Sequence, residues 1–545
     1  MTTQTIDATQ PRPTSTPVRP VPETELSLLM DVGSAWTKAA LVGRAGGRWR
    51  IVSGTAQPGS WGESVLVEDL VSRLVPHADA RLSKRLALLV RDAPRITCQS
   101  PRRPGRLAVV ADTTADQEAA ELVAIRNGWR VVAAMTGNDR RPESERYEPI
   151  RLAEPDAWLA VSSGGAPPPD GPLWGVLAAA RGSSGTPLLF AAAEDLQETF
   201  GRQFGPATRW IGPAVDDALS AALLTLLAEA NGPGEVRSLA PVAFGHSMAA
   251  LARGLGVEVL GVDLGATWLA WGAATPSGGT TAMLAETGDR ALPEGSRAAA
   301  EVLPADVDEF ATTDAMANLA ARPMAVPSSV AEAAIAQALG IDRLAAARRW
   351  LGGCPPVDLL VGGGRLLAGA VHPGDAALAL LDGLRPAGVT QLAVDQWGIC
   401  GPLGTLASED VDEGMETLRD DLLVPLGTAI VSRGGRPGQV AFRARLHRPG
   451  WPDSTRHEVR VGGVAVLPLE RGASGELEIE LERGVELREP YRARRMRAAV
   501  TGGAVGVILD ARDDPIQVPT RPGDARTMIQ SWRDALRREG RPAAG

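Results

Sequence analysis

The sequence predicts an α/β protein built from two related lobes, and three observations lead there. One β-rich run ends in Asp31-Val32-Gly33, a second ends in Asp263-Leu264-Gly265, and a buried-strand pattern runs straight into Gly362-Gly363-Gly364. Each Asp-x-Gly is followed by a further β run, a glycine-containing turn and a third run, so one antiparallel meander occurs twice, 232 positions apart at its aspartates.

At 545 residues the chain exceeds what a single core organises, and its texture divides it into five stretches. Residues 1–24 are rich in Thr and Pro and nearly free of large apolar groups, which predicts a disordered tail. Residues 25–104 predict the N-terminal part of the first lobe, with strands over 26–32, 36–42 and 49–56, a glycine turn at 43–47 and a helix over 63–75. Residues 105–235 alternate differently. Strands are predicted at 107–111, 129–134, 157–161 and 187–192, with a helix over 114–127 that Asp112 or Thr113 would cap. This rhythm predicts a small parallel, Rossmann-like insert, with the Pro/Gly cluster at 164–171 as a loop within it. Residues 236–434 predict the second lobe: strands over 257–264, 267–274 and 281–286, Ala-rich helices over 329–339 and 341–351, a strand over 357–361, a helix over 375–384 and a strand over 389–395. From 435 to 545, alternating runs at 439–446, 457–461, 464–468 and 475–481 predict a small C-terminal β domain. A strand over 503–510 and an amphipathic helix over 522–538 complete it.

Composition removes several classes of function. A net charge of -9 and a pI near 5.4 argue against a nucleic-acid partner. Cys98, Cys354 and Cys400 stand apart, and the five histidines show no metal-ligand spacing, so neither a disulfide framework nor a zinc site is expected. The N-terminus shows no basic region followed by an apolar run, and no apolar window approaches membrane-spanning length, which predicts a cytoplasmic protein with no membrane partner. Among 56 basic residues only Lys38 and Lys84 are lysines, which draws attention to Lys38 beside the first Asp-x-Gly.

That hairpin, Asp31-Val32-Gly33-Ser34-Ala35-Trp36-Thr37-Lys38, suits the polyphosphate of a nucleoside triphosphate. Gly33 lets the backbone turn close to phosphate, and successive amides, with the Ser34 and Thr37 hydroxyls, can donate to its oxygens. Asp31 can hold Mg2+, usually through water, because that cation prefers oxygen ligands. Lys38 would add a positive charge if strand alternation turns it to the cleft. Taken alone, this segment is equally an ordinary hairpin with a polar tip. The second copy changes that reading. In actin-like (ribonuclease H-like) folds each lobe opens with such a meander, and the two hairpins face each other across a cleft. Asp263, Gly265 and Thr267 would then form the second phosphate loop, with Asp263 also near the metal, and Gly362, Gly363 and Gly364 the turn on which adenosine lies.

Several longer segments resemble the glutamate mutase accessory family called MutL or GlmL, a branch of the actin/Hsp70/sugar-kinase-like ATPases and not the DNA mismatch repair protein of the same name. They are DVGSAWTKAALV (31–42), DTTADQEAAELVAIRNGWRVV (112–132), GVDLGATWLAWG (261–272), VGGGRLLAGA (361–370), LLDGLRPAGVTQLAVDQWGICGPLGTLA (380–407) and GGAVGVILDARDDPIQVP (502–519). The resemblance spans roughly residues 26–540. It implies ATP binding, with Mg2+, and a chaperone or reactivating role beside an adenosylcobalamin-dependent mutase subunit.

Two departures bear on catalysis. The family's second loop usually continues Gly-Ala-Thr-Thr-Asp, whereas here Gly265 is followed by Ala266-Thr267-Trp268-Leu269-Ala270, and Trp36 puts a bulky ring in the first loop. Loss of a water-positioning group can cost orders of magnitude in phosphoryl transfer while binding survives. A weak ATPase, a small-molecule kinase of the same superfamily and a non-catalytic pseudo-ATPase scaffold therefore stand as alternatives. The insert lacks the Asp-x-His-x-x-Gly of base-off cobalamin binding, since Thr113 to Gln117 follow Asp112 without a histidine. Gly245-His246-Ser247 reads as a loop, the basic patch at 491–497 as a solvated face or a partner contact, and Asp395 and Asp510 as strand-end turn caps, with Asp395 alternatively reaching the cleft.

Overall fold

The computed structural model describes residues 26–45, 48–58, 63–74, 80–137, 152–163, 185–193, 208–213, 217–231, 238–285, 309–322, 325–409, 418–452, 456–487 and 493–537, with isolated residues between them (139, 141, 142, 145, 148, 175, 196 and 454). The expected tail at 1–24, the loop at 164–171 and residue 286 lie outside these, as do Tyr491 and Arg492 of the basic patch.

The first meander forms as predicted, with longer arms. β1 (Leu26–Val32), β2 (Trp36–Ala45) and β3 (Arg48–Pro58) pair antiparallel. Alternation gives the sheet two apolar faces: Leu28, Met30, Ala39 and Leu41 pack under α1 (Glu63–Leu74), while Leu29, Ala40 and Val42 turn the other way. Helix α2 (Ala80–Asp92) leads into β4 (Arg95–Gln99), which lies parallel to β1.

The chain then builds the insert. β5 (Gly105–Ala111), α3 (Thr114–Arg126), β6 (Trp129–Thr136), β7 (Ala157–Val161), β8 (Leu188–Ala191) and β9 (Thr208–Ile211) give an all-parallel sheet ordered β6-β5-β7-β8-β9, covered by α4 (Asp217–Ala230). Thr113, one of the two expected caps, accepts the Asp116 amide at 3.1 Å. Asp112 instead accepts a hydrogen bond from Ser162 at the end of β7.

A short β10 (Ser238–Leu239) returns beside β4 and completes the first lobe's sheet in the order β10-β4-β1-β2-β3. Helix α5 (Ala240–Leu255) carries the chain across to the second meander, β11 (Val259–Leu264), β12 (Trp268–Thr275) and β13 (Gly278–Ala285). Gly245, His246 and Ser247 are therefore helical rather than a loop; Ser247 is buried and donates to the Cys400 carbonyl. Helices α6 (Glu309–Ala321) and α7 (Val330–Trp350) precede β14 (Leu359–Gly363), the one-turn α8 (Arg365–Ala368), α9 (Pro373–Leu384) and β15 (Gly388–Asp395). β14 and β15 add to β11 in parallel, so β13-β12-β11-β14-β15 repeats the strand order and directions of the first lobe. This repetition makes the chain a duplicated, two-lobed actin-like fold.

Two expectations about elements change. The helices predicted at 329–339 and 341–351 are the single helix α7. Gly340 does not break it but lets it approach β11 and α8: a Cβ there would stand 2.8 Å from Leu366 Cδ2 and 3.0 Å from Leu264 Cδ2. The C-terminal stretch is also not self-contained. After α10 (Cys400–Glu409) and β16 (Leu423–Val431), the strands β20 (Val464–Leu467) and β24 (Gly506–Asp510) extend the second lobe's sheet to eight strands. Only β18 (Val440–His447), β19 (His457–Arg460), β21 (Ser474–Leu481) and β23 (Arg495–Thr501) form a separate four-stranded sheet, packed by Phe442, Leu477 and Ile479 against Val507 and Leu509 of β24. Two-residue strands β17 (Arg433–Gly434) and β22 (Val485–Glu486) pair beside them. The uniformly buried GVILD of β24 cannot be told from a strand of either sheet by its pattern. The closing helix α11 (Pro522–Arg537) packs on α9 through Ile529, Trp532 and Leu536.

The lobes share a core. Leu29, Ala40 and Val42 of the first meet Val259, Ala270, Leu359 and Ala393 of the second around Phe244 and Met248 of α5 and Leu403 of α10. Among the described residues no helix is long and apolar enough to cross a membrane.

Candidate functional site

The two Asp-x-Gly hairpins end at the same place. Ser34 and Thr267, 233 positions apart, are linked by a 2.6 Å hydrogen bond between their hydroxyls. Both turns close in the same way, each glycine lying against the carbonyl three residues on. The Gly33 amide donates to the Trp36 carbonyl at 3.0 Å, and a Cβ at Gly33 or Gly265 would stand 2.6 or 2.9 Å from the carbonyl of Trp36 or Trp268.

Beneath this contact lies a buried charge cluster. Asp31 and Lys38 are register partners across β1 and β2, so their side chains leave the same face, and Lys38 Nζ lies 3.1 Å from Asp31 Oδ2. The orientation of Lys38 that strand alternation left open is thus settled toward the cleft. Asp31's other oxygen faces the Cys98 thiol at 3.8 Å. The lysine stem packs on the turn after β15, where a Cβ at Gly398 would fall 2.7 Å from Cδ and 2.9 Å from Nζ. Asp395, 1% exposed, organises that turn: its carboxylate accepts the amides of Trp397 (3.1 Å), Gly398 (2.6 Å) and Cys400 (2.9 Å). It is a cap, as one sequence reading had it, yet it also lies within electrostatic reach of Lys38. Burial would lower the Lys38 pKa, but Asp31, Asp263 and Asp395 outweigh it and hold the ammonium charged. Burial pushes the Cys98 and Cys400 thiols up, so both stay protonated.

The glycine turn joins the second loop. Gly363 lies opposite Asp263 in the β11–β14 register, and a Cβ at Gly364, whose φ is +85°, would fall 2.3 Å from the Leu264 carbonyl oxygen and 2.7 Å from Asp263 Oδ1. That Asp263 oxygen is buried with no hydrogen-bond partner. Arg343 of α7 donates to the Gly265 carbonyl at 2.8 Å, and the Arg365 guanidinium stacks 3.8 Å over the Trp36 ring, a second bridge between lobes. Together these elements border a cleft of about 2240 Å³ that runs from the two loops along α7 to the insert's β6.

The structure therefore brings Asp31, Gly33, Ser34, Lys38, Asp263, Gly265 and Thr267 to one cleft wall, with Gly363 and Gly364 directly behind Asp263. Thr37 is 2% exposed and Gly362 is buried among Leu367 and Leu380, so neither offers its side to the cleft. The Trp397–Gly398 turn, Arg343 and Arg365 were missed as site residues. VDQWGIC was visible as a distinctive string, but nothing in it told that Gly398 backs a lysine 360 positions earlier.

The residues that follow Thr267 in the second loop are core. Trp268, 4% exposed, is buried with the insert's Leu107, Trp129 and Leu223, and its indole donates to the Pro101 carbonyl at 2.7 Å. Leu269 and Ala270 face the second lobe's core and the shared core. Trp268 thus anchors the loop to the insert.

Asp31 and Asp263 were the expected metal residues. Mg2+ keeps several waters and needs carboxylate oxygens open to them. Asp31 Oδ2 is held by an ammonium and its Oδ1 faces a thiol at 3.8 Å, while Asp263, which borders the cleft, has its Oδ1 sealed behind Gly364. Among the described residues no group of three or more His, Cys, Asp or Glu can hold a metal ion. The arrangement does not fit a cation bound through Asp31.

No family model matches the chain, and no curated protein matches it in sequence. Solved structures resemble it in architecture. Acetone carboxylase, in a nucleotide-free structure from work on ATP-dependent acetone carboxylation, is 10% identical over 80% of this chain and 81% of that one, with a TM-score of 0.31. Gluconate kinase from Lactobacillus acidophilus is 9% identical over 73% and 93%, TM-score 0.28, and a PilM–PilN type IV pilus biogenesis complex is 16% identical over 72% and 100%, TM-score 0.24. These likenesses are weak, and the fold rests on strand order and direction.

Proposed function

We propose that this chain is an actin-like ATP-binding protein that serves as a cytoplasmic accessory, chaperone or reactivating factor, for an adenosylcobalamin-dependent mutase of the glutamate mutase type. The observation that carries nucleotide binding is the meeting of two Asp-x-Gly loops at Ser34–Thr267 above the Asp31–Lys38 pair. Loop amides and hydroxyls from both lobes, with one ammonium between them, form a site for a polyphosphate bridging the lobes. A phosphate accepting from both the Ser34 and Thr267 hydroxyls would replace their hydrogen bond to each other. The mutase partner is supported by the resemblance of 31–42, 380–407 and 502–519 to the MutL/GlmL family.

The apolar second loop favours slow turnover or none, so the chain would work through binding and lobe motion. A small-molecule kinase is favoured by one observation, a cleft of about 2240 Å³, larger than the ~300–1,000 Å³ of most ligand pockets. Calorimetric titration with ATP and ADP tests the binding; no heat at millimolar nucleotide would refute it. Mixing the protein and ATP with a cobalamin-inactivated glutamate mutase tests the partner. Recovered mutase activity supports the role, and none refutes it.

A further inference from the structure

We infer that the Lys38 ammonium takes the place of a divalent cation in this site, so that nucleotide binding requires no Mg2+. This rests on the nucleotide reading above and concerns how the polyphosphate charge is met.

The argument is one of occupancy. A hydrated Mg2+ at the end of β1 would need oxygens of Asp31 free to accept from its waters. Oδ2 is held at 3.1 Å by Lys38 and Oδ1 faces Cys98 at 3.8 Å, with the two charged side chains only 6% and 13% exposed. Lys38 has little freedom to leave. Its stem is wedged against Gly398, whose φ of +66° belongs to the turn that Asp395 fixes through three amides. Displacing the lysine means either disturbing that turn or burying an ammonium without its partner.

The charge already present is also suitable. Asp395 is held by three backbone amides, and Lys38 is paired with Asp31 at 3.1 Å. An ammonium carries three donors and gives one to Asp31; the others remain for phosphate oxygens arriving between the loops. Asp263 Oδ1 stays shut behind Gly364. The polyphosphate then meets a fixed monovalent charge, loop amides and two hydroxyls, and needs no ion brought with it.

Titration of the full chain with ADP and with ATP, once in excess Mg2+ and once in EDTA, tests this. Dissociation constants agreeing within about 3-fold in the two buffers are expected; weakening in EDTA by more than about 10-fold overturns the inference and leaves the nucleotide reading standing. Absence of binding in both buffers refutes the nucleotide reading itself. Lys38→Met should lose binding in EDTA, and affinity unchanged there overturns the inference. If Lys38→Met does not fold, Asp31→Asn with Lys38→Met removes the unpaired carboxylate at nearly constant shape. That double variant should bind in neither buffer, and wild-type affinity in Mg2+ would overturn the inference.

Discussion

Replacing Asp510 with alanine should unfasten the second lobe from its C-terminal half. Asp510 ends β24 with no solvent exposure, between two guanidinium groups that are themselves buried. Its Oδ1 accepts from the Arg512 amide at 2.9 Å and Nε at 3.0 Å; its Oδ2 accepts from Arg512 Nη2 at 2.8 Å and Arg385 Nη1 at 3.0 Å. Arg512 also lies 2.7 Å from Asp382 and 4.8 Å over the Trp532 ring of α11, while Arg385 donates to the Arg512 carbonyl. One carboxylate thus ties α9, β24 and the approach to α11. Its removal strands two buried guanidinium groups with Asp382 alone to answer them, and breaking a buried pair this way costs about 3–5 kcal/mol. Amide exchange in β16 and β24 reads the change, with protection expected to fall about a hundred- to several-thousand-fold. Protection within a factor of about 5 of the parent would show that the network contributes little beyond its own desolvation. The pH dependence has a definite sign. Burial would raise the Asp510 pKa, but Arg512 and Arg385 outweigh it and hold the carboxyl well below its ordinary value. Its stabilisation is therefore complete above the unfolded pKa of about 3.9 and is lost as pH falls below it; the alanine variant should show a flatter acid limb.

Three further changes probe the lobes. Asp395→Ala leaves the amides of Trp397, Gly398 and Cys400 without their acceptor, and a loss of about 2–3 kcal/mol in urea unfolding is expected; a loss under about 0.5 kcal/mol would show that water replaces it. Trp268→Ala removes the ring shared by the second loop and the insert, at about 3–5 kcal/mol, and limited proteolysis should then release the insert first. Gly404→Ala would place a methyl 1.8 Å from the Ala243 carbonyl oxygen where α10 meets α5. A cost of at least about 1–3 kcal/mol, seen as a lowered melting temperature, is expected; unchanged melting would mean the helices separate freely.

Both meanders, the insert and the glycine turn were legible because period-2 apolar runs punctuated by glycine are local signals. The sheet to which a strand belongs is not local. β24 was visible as a strand, yet 74 residues (432–505) lie between it and its partner β16, among them the separate sheet begun at β18. The site divided along the same line. Asp31, Gly33, Asp263 and Gly265 announced themselves by repetition, and the two loops they mark meet at Ser34 and Thr267, 2.6 Å apart. The use of Asp31 was hidden, because a carboxylate awaiting a metal and one already paired with Lys38 have the same sequence. Asp510 read as a turn cap for a similar reason: its partner Arg385 lies 125 positions earlier. In the described part of the basic patch, Arg495 and Arg497 pair with Glu480 and Glu476 on an exposed sheet face.

The placement of β24 also sets an order for synthesis. The second lobe's sheet has β24 between β16 and β20, so β20 leaves the ribosome before the strand it pairs with exists. Until residue 510 emerges, β16 presents an unpaired apolar edge, and α9 waits for α11 to cover it. The first lobe's meander and the insert face no such delay. A nascent chain halted shortly before residue 506 should therefore hold a folded insert and an open second lobe, the state most in need of a holding chaperone.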